Sequence, residues 1–481
     1  MKARTLAAVL AALAPAASPA VYLNPDGLGQ ALIFPYFTAN SVDGNAFNTY
    51  LSVVNHGSDV KALRVRFREG RNGVEVASFN LFLSANDAWT AAVVPTGFGA
   101  EMVTRDASCL DGTFLAGPVP SLEFRNTQYS GSLSDGSGVG LDRTREGFVE
   151  VLEMGVLTGA DAAAVTHGPG GLPLDCARVR GAATLAVATP TGGLSGSLTL
   201  INVRNGQDFT VNADALADLA SAPYYRPPSD AYPALNAAEV VPMSIVAHEG
   251  RVYRSTWQRG IDAVSAVFMR SEWQSEYVLD AGTRSKTDYV VTLPTRHYYV
   301  RSDGADAPFT RPRGGKPSCA RTGFSVPGED MRIYYFNREE QVATSGGSSP
   351  VLPDDPTTNL CSSASVSSPR NASPHLDTGP ASRVTGSINA LIFEITSSFQ
   401  NGWLAGQLLN FPAMNSLSTS TRLQRDGTLA SGPHIFNGLP ITGFALRTFE
   451  NGTLLCNGSA CQGNYGGAFP LKYKRQLTPF D

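Results

Sequence analysis

The sequence predicts a mainly β protein of two immunoglobulin-like antiparallel β-sandwich domains with long disulfide-tied loops, and three observations carry that expectation. Short apolar runs are separated by clusters of Gly, Pro, Ser, Thr and Asn, with 48 Gly and 31 Pro in the chain, which is the punctuation of many short strands. Several runs alternate apolar and polar side chains with a period of two, as a sheet with one packed face does. An even number of Cys, six, is spread through loop-rich stretches, where bridges would tie loops back to sheets. A chain of 481 residues exceeds what a single core usually serves, and 42% apolar content is enough for packed cores.

Residues 1–20 read as an export signal. Lys2 and Arg4 supply a positive start, Leu6 to Leu13 an apolar stretch, and Ser18-Pro19-Ala20 the small residues a signal peptidase reads, with Ala14-Pro15-Ala16 as an alternative. The apolar stretch falls far short of the roughly 20 residues a membrane-spanning helix needs, and no later run approaches that length. An exported chain without a transmembrane span after cleavage is expected, in the periplasm, at the cell surface or outside the cell. The net charge of −4 gives no electrostatic reason to expect nucleic acid or an anionic membrane as partner.

Residues 21–210 are expected to form the N-terminal sandwich. Ala31-Leu-Ile-Phe-Pro-Tyr-Phe-Thr38 is an apolar run, and Thr49 to Asn55 follows a polar turn. Leu63, Val65 and Phe67 alternate with Arg64, Arg66 and Arg68, which predicts one buried and one solvated face. Glu69-Gly-Arg-Asn-Gly73 supplies a hairpin turn, Val74 to Leu83 the return strand and Trp89 to Val94 the next. Phe148 to Val156 and Ser197 to Val203 add strands after a loop-rich stretch. Residues 211–255, stiffened by Pro227-Pro228, read as a connector.

Residues 256–481 read as a second β-rich domain. Tyr289 to Leu293, His297 to Val300, Met331 to Phe336, Ile388 to Ile395, Trp403 to Leu409, Ile441 to Phe449 and Ala468 to Lys474 are its expected strands. Ile261 to Leu279 also fits a helix. The Ser-, Gly- and Pro-rich stretch at about 340–380 reads as a long loop.

The Cys pairs expected are neighbours: Cys109–Cys176, Cys319–Cys361 and Cys456–Cys461. On the chain-entropy model the two long loops contribute about 4 kcal/mol each and the short one about 2. Zinc is the rival reading, but there is no C-x-x-C pair and no His at ligand spacing.

Catalytic signatures are absent from the sequence. Gly193-Leu-Ser-Gly-Ser197 lacks the final Gly of a nucleophile elbow and reads as a turn entering a strand. Asp135, Ser137 and Glu146 fall, with Gly140, at positions 1, 3, 12 and 6 of a calcium-loop template, the single cofactor candidate. Val139 stands where that template needs an oxygen, so a Gly/Ser/Asp turn is the plainer reading. Glu146, Glu150 and Glu153 could supply the paired acids of a glycosidase. Along a strand, however, Glu150 and Glu153 face opposite sides and Glu146 and Glu150 stand about 13 Å apart. A solvated strand face is expected instead. Four Trp and 16 Tyr could stack on carbohydrate, although most should be core.

Ala31 to Thr38, Leu63-Arg-Val-Arg-Phe-Arg-Glu-Gly70, Phe79 to Ser84 with Asp87-Ala-Trp89, Arg145 to Gly155, Thr287 to Thr295 and Asn464-Tyr-Gly-Gly467 together resemble segments of a group of exported proteobacterial proteins. The resemblance spans most of the mature chain and implies a Gram-negative setting. It implies no activity and no functional residues. The expectation is a non-enzymatic surface component, structural, adhesive or assembling, that meets other surface proteins or itself through strand edges. The alternative is a secreted hydrolase or a carbohydrate-binding protein.

Overall fold

The computed structural model describes residues 19–236, 242–310, 312, 328–341, 359–371, 381–395, 398–408, 416–418, 424–425, 428–429, 434–456 and 458–479. The export segment therefore lies outside the described residues up to residue 18. The described chain is mainly β, built from open, almost wholly antiparallel sheets, with two α-helices, Gly159–Val165 and Gly260–Phe268.

One sheet of eight strands runs in the order Tyr22–Leu23, Asp214–Ala217, Ala31–Thr38, Glu146–Leu157, Lys61–Glu69, Glu75–Leu83, Cys109–Asp111, with Val187–Ala188 on the end of Glu146–Leu157. A second of six strands runs Ser121–Glu123, Ala100–Val103, Ala88–Pro95, Asn48–Asn55, Leu194–Asn202, Gln207–Asn212. Phe34, Leu63, Val65, Phe67 and Phe79 of the first share an apolar cluster with Leu51, Val53, Trp89 and Leu198 of the second. Each such side chain contributes on the order of 1.5–3 kcal/mol by leaving water. Gly196 makes the close fit possible, because a Cβ there would stand 2.4 Å from the Phe34 ring. The predicted hairpin turn is present: the Glu69 carboxylate accepts the N–H groups of Arg71, Asn72 and Val74, and Gly73 takes φ +70°.

The alternation along Lys61–Glu69 is as expected, but its polar face is not solvated. Arg64, Arg66 and Arg68 are 0%, 1% and 8% exposed. The cause is the Pro-rich stretch expected to be a connector, which lies across this face. Proline lacks an N–H and leaves its neighbourhood rich in unpaired carbonyls. The Arg64 guanidinium donates to the carbonyls of Arg226, Pro227 and Asp230, and Arg66 to those of Ala231 and Pro233. Arginine suits this task because its donors are fixed in a fork. Other described parts of residues 211–255 are likewise built in: Asp214–Ala217 pairs with Ala31–Thr38, and Met243–His248 pairs with Arg251–Thr256.

Ala31–Thr38 reads as continuous apolar sequence because both its faces are covered. Leu32, Phe34 and Tyr36 enter the cluster between the two sheets, whereas Ala31 and Ile33 join Trp273, Tyr289 and Val291 of the C-terminal half. Both clusters thus draw on both halves of the chain.

In the C-terminal half a four-stranded sheet runs Arg332–Asn337, Asn401–Gln407, Glu272–Val278, Lys472–Lys474. A five-stranded sheet runs Ala390–Ile395, Ala364–Asn371, Lys286–Thr292, Thr442–Cys456, Ser459–Pro470. Ile261 to Leu279 is divided: Gly260–Phe268 is helical and buried throughout, and Glu272–Val278 is a strand whose Trp273, Ser275 and Tyr277 face inward. His297 to Val300 is not a strand, because the turn after Pro294 continues as the 3-10 segment Arg296–Tyr298. Within the stretch expected as a loop, Ala364–Asn371 is a strand between Lys286–Thr292 and Ala390–Ile395. Its small serines are nearly fully buried, a close-packed role that composition conceals.

Cys109 and Cys176 are bonded, with Cα atoms 5.3 Å apart. Cys361 is also disulfide-bonded, and Cys319 lies outside the described residues. Cys456 and Cys461 stand on paired strands, their side chains outside the described set.

Candidate functional site

Glu146, Glu150 and Glu153 all lie on the central strand Glu146–Leu157, and all three are completely buried, which corrects the expected solvated face. Each has its own partner. Glu146 accepts the Tyr36 hydroxyl at 2.6 Å and the N–H groups of Ile388 and Asn389 at 3.0 and 3.2 Å. Glu150 pairs with Arg68 at 2.8 Å, with His297 Nε2 3.9 Å away. Glu153 takes Lys61 Nζ at 2.7 Å and the N–H groups of Thr191 and Gly192. Burial pushes the carboxyls of Glu146 and Glu153 up, against these donors. Burial, followed by repulsion from Arg66, lowers the Arg64 guanidinium to about 10. The charges of this layer join chain segments distant in sequence; they are not gathered as one acid pair.

The calcium-template residues divide: Asp135 and Ser137 share Asn72, and Glu146 stands apart from them. Asp135 receives both Arg143 Nη1 and Nη2 at 2.8 Å, Asn72 Nδ2 at 2.8 Å and the Ser137 N–H at 3.0 Å. Arg143 also reaches Glu69 at 3.0 Å and lies 3.9 Å over the Tyr129 ring. Ser137 Oγ accepts from Asn72, while the Glu146 carboxylate turns to Tyr36. The cation at Asp135 is thus a guanidinium, which clasps the 135–143 loop to the hairpin turn at Glu69. Among the described residues no group of three or more His, Cys, Asp or Glu is placed to hold a metal ion.

This clasp has a pH signature. Burial acts to raise the Asp135 carboxyl, but Arg143, Asn72 and the Ser137 N–H outweigh it and hold the group at about 2. Against an unfolded value near 3.9 this amounts to about 2–3 kcal/mol, present above the unfolded value and lost as pH falls through the folded one. Urea unfolding of the wild type and Asp135→Asn should differ fully at pH 5–7 and converge below pH 4. A gap that stays constant down to pH 2.5 would refute the assignment.

A cleft of about 360 Å³ opens where Ser84, Asp87, Thr166 and His167 meet. His167 Nδ1 lies 3.4 Å from Asp87 Oδ2. Ser84 Oγ donates to the Val165 carbonyl and accepts the His167 N–H, both at 3.1 Å, so this hydroxyl serves the backbone. A hydroxyl–imidazole contact does occur, His56 Nε2 to Ser195 Oγ at 2.8 Å. The imidazole–carboxylate and imidazole–hydroxyl contacts therefore belong to different histidines, unlike a three-membered relay. Neither Asp87 nor His167 carries a motif. Their one sequence signal was indirect: Cys109, paired on the sheet with Phe82, is bonded to Cys176, which returns the 166–176 loop to the strand end at Ser84.

Of the four Trp, Trp89, Trp257 and Trp273 are core, whereas Trp403 is exposed on the four-stranded sheet. No protein-family model, curated protein or solved structure matches the chain.

Proposed function

We propose that the chain is an exported, non-enzymatic protein of immunoglobulin-like β layers that acts at a Gram-negative cell surface as a structural, adhesive or assembly component. The observation that carries this reading is how the chain spends its charge and its aromatic surface. Arg64, Arg66, Arg143, Glu146 and Glu153 hold neighbouring segments of the chain in place, while Trp403 and its neighbours face solvent on an open sheet. Export is supported by the Cys109–Cys176 bond, since such bonds persist in oxidising compartments. It is further supported by Val21, whose N–H donates to Met243 and whose carbonyl accepts from Ile245, so a chain cut after Ala20 would start inside the fold. Arg332–Asn337, the outer strand of the four-stranded sheet among the described residues, is the edge this reading offers for strand addition.

Cell fractionation tests the proposal. A chain beginning at Val21, recovered from periplasm, surface or medium with its thiols blocked, is expected; recovery from cytoplasm with free thiols overturns it. The second reading, a secreted hydrolase, draws on the Asp87–His167 cleft, and ester hydrolysis abolished by His167→Ala would favour it.

A further inference from the structure

Trp403 is 38% exposed, whereas the other three Trp are at most 4% exposed. It stands in register between Phe336 of the edge strand Arg332–Asn337 and Glu276 of Glu272–Val278. The Phe336 and Trp403 rings stack with centroids 4.3 Å apart and planes 12° from parallel. Tyr334, two residues along the edge strand, shares their face, with its hydroxyl 3.4 Å from Gln407 Oε1. Alternation sends Ile333, Tyr335, Leu404 and Trp273 into the core and leaves these rings outward, beside Gln274.

We propose that this outer face binds a polysaccharide of equatorially substituted hexoses. The proposal rests on the surface-component reading and names the ligand class. The axial C–H face of such a sugar is apolar and suits an aromatic ring, while its rim hydroxyls need planar acceptors and donors close by. Glu276 stands directly across from Trp403 at roughly 5 Å, Gln274 two residues further along the same strand, and Gln407 beside Tyr334 on Trp403's own strand. Among the described residues no acid of the face is left free: Lys474 pairs with Glu272 at 2.7 Å, Arg447 pairs with Glu276, and the exposed Lys472 stands opposite Gln274 as a further donor. A protein partner fits less well, since interface cores are depleted in Lys and Glu, and this face carries both beside the ring stack.

The test uses the purified mature chain, titrated with cellohexaose and chitohexaose by tryptophan fluorescence, alongside retention on insoluble cellulose and chitin. Saturable binding to at least one polymer series is expected. Trp403→Ala should weaken it at least tenfold and Phe336→Ala severalfold, with unchanged thermal midpoints. Tyr50→Ala, a 50% exposed ring on the six-stranded sheet, should bind as the wild type does. Absence of binding to both series, or equal binding by Trp403→Ala, overturns the proposal. So does a concentration-dependent dimer that Trp403→Ala abolishes, which would make the face a protein interface. None of these failures alters where the protein fractionates, so the surface reading is judged separately.

Discussion

Lys61→Met is expected to lower stability by about 3–5 kcal/mol, the usual result of removing one partner from a buried pair. Lys61 Nζ and Glu153 Oε1 are 2.7 Å apart, and neither side chain is exposed. Lys61 also donates to Thr191 Oγ1 at 2.8 Å, and Glu153 accepts the N–H groups of Thr191 and Gly192. Methionine keeps the length of the stem and removes the charge, so Glu153 is left buried with two backbone donors and no cation. Burial already raises its carboxyl, and losing Lys61 raises it further. A carboxyl raised in the folded state favours folding below its unfolded pKa, and that contribution disappears as pH rises through the folded value. The deficit of Lys61→Met should therefore be largest at neutral pH and shrink toward about pH 4. Adding Glu153→Gln, which keeps an acceptor for the two N–H groups, should recover part of the loss. Denaturant melts across pH measure both effects, and a single variant within 1 kcal/mol of wild type at pH 7 would show that the pair contributes little.

The second large effect is expected from removing the Cys109–Cys176 bond. The bridge closes a separation of 67 residues, for which chain entropy in the unfolded state gives about 4 kcal/mol. It joins the sheet strand Cys109–Asp111 to the 3-10 segment Cys176–Arg178. It thereby pins the loop bearing His167 beside Asp87. Cys109→Ala/Cys176→Ala should lower the unfolding free energy by that amount and make His167 exchange between environments in its imidazole NMR signals. Chemical denaturation that shows a loss below about 1 kcal/mol would mean the unfolded chain is already held compact without the bond. The double variant is preferable to a reductant, because Cys361 is bonded as well.

Legibility followed range along the chain. Leu63, Val65 and Phe67 were readable as one face, since strand geometry alone sets that period. The destination of the opposite face was not, because it depends on a proline-rich segment some 160 residues later that needs the Arg64 and Arg66 donors. The same applies to Glu146, whose acceptor oxygens are filled by the backbone of Ile388 and Asn389. Ala364–Asn371 shows no strand pattern in the sequence for a related reason. Serine-rich sequence looks like loop, whereas here its small side chains pack tightly and its strand is formed by neighbours at Lys286–Thr292 and Ala390–Ile395. Asp87 and His167 carry no local pattern at all, and Trp403 could not be told from Trp273 by composition.

The amino-acid order by itself determined the strand periodicity and the hairpin at Glu69 to Gly73, whereas of the cysteine pairings it left open, the structure shows Cys109–Cys176. The first two depend only on backbone geometry within neighbouring elements. Only tertiary structure decided which polar faces leave water, which carboxylates stand alone and which Trp meets solvent. Burial is a property of whatever packs on top, and here the covering segments come from far along the chain.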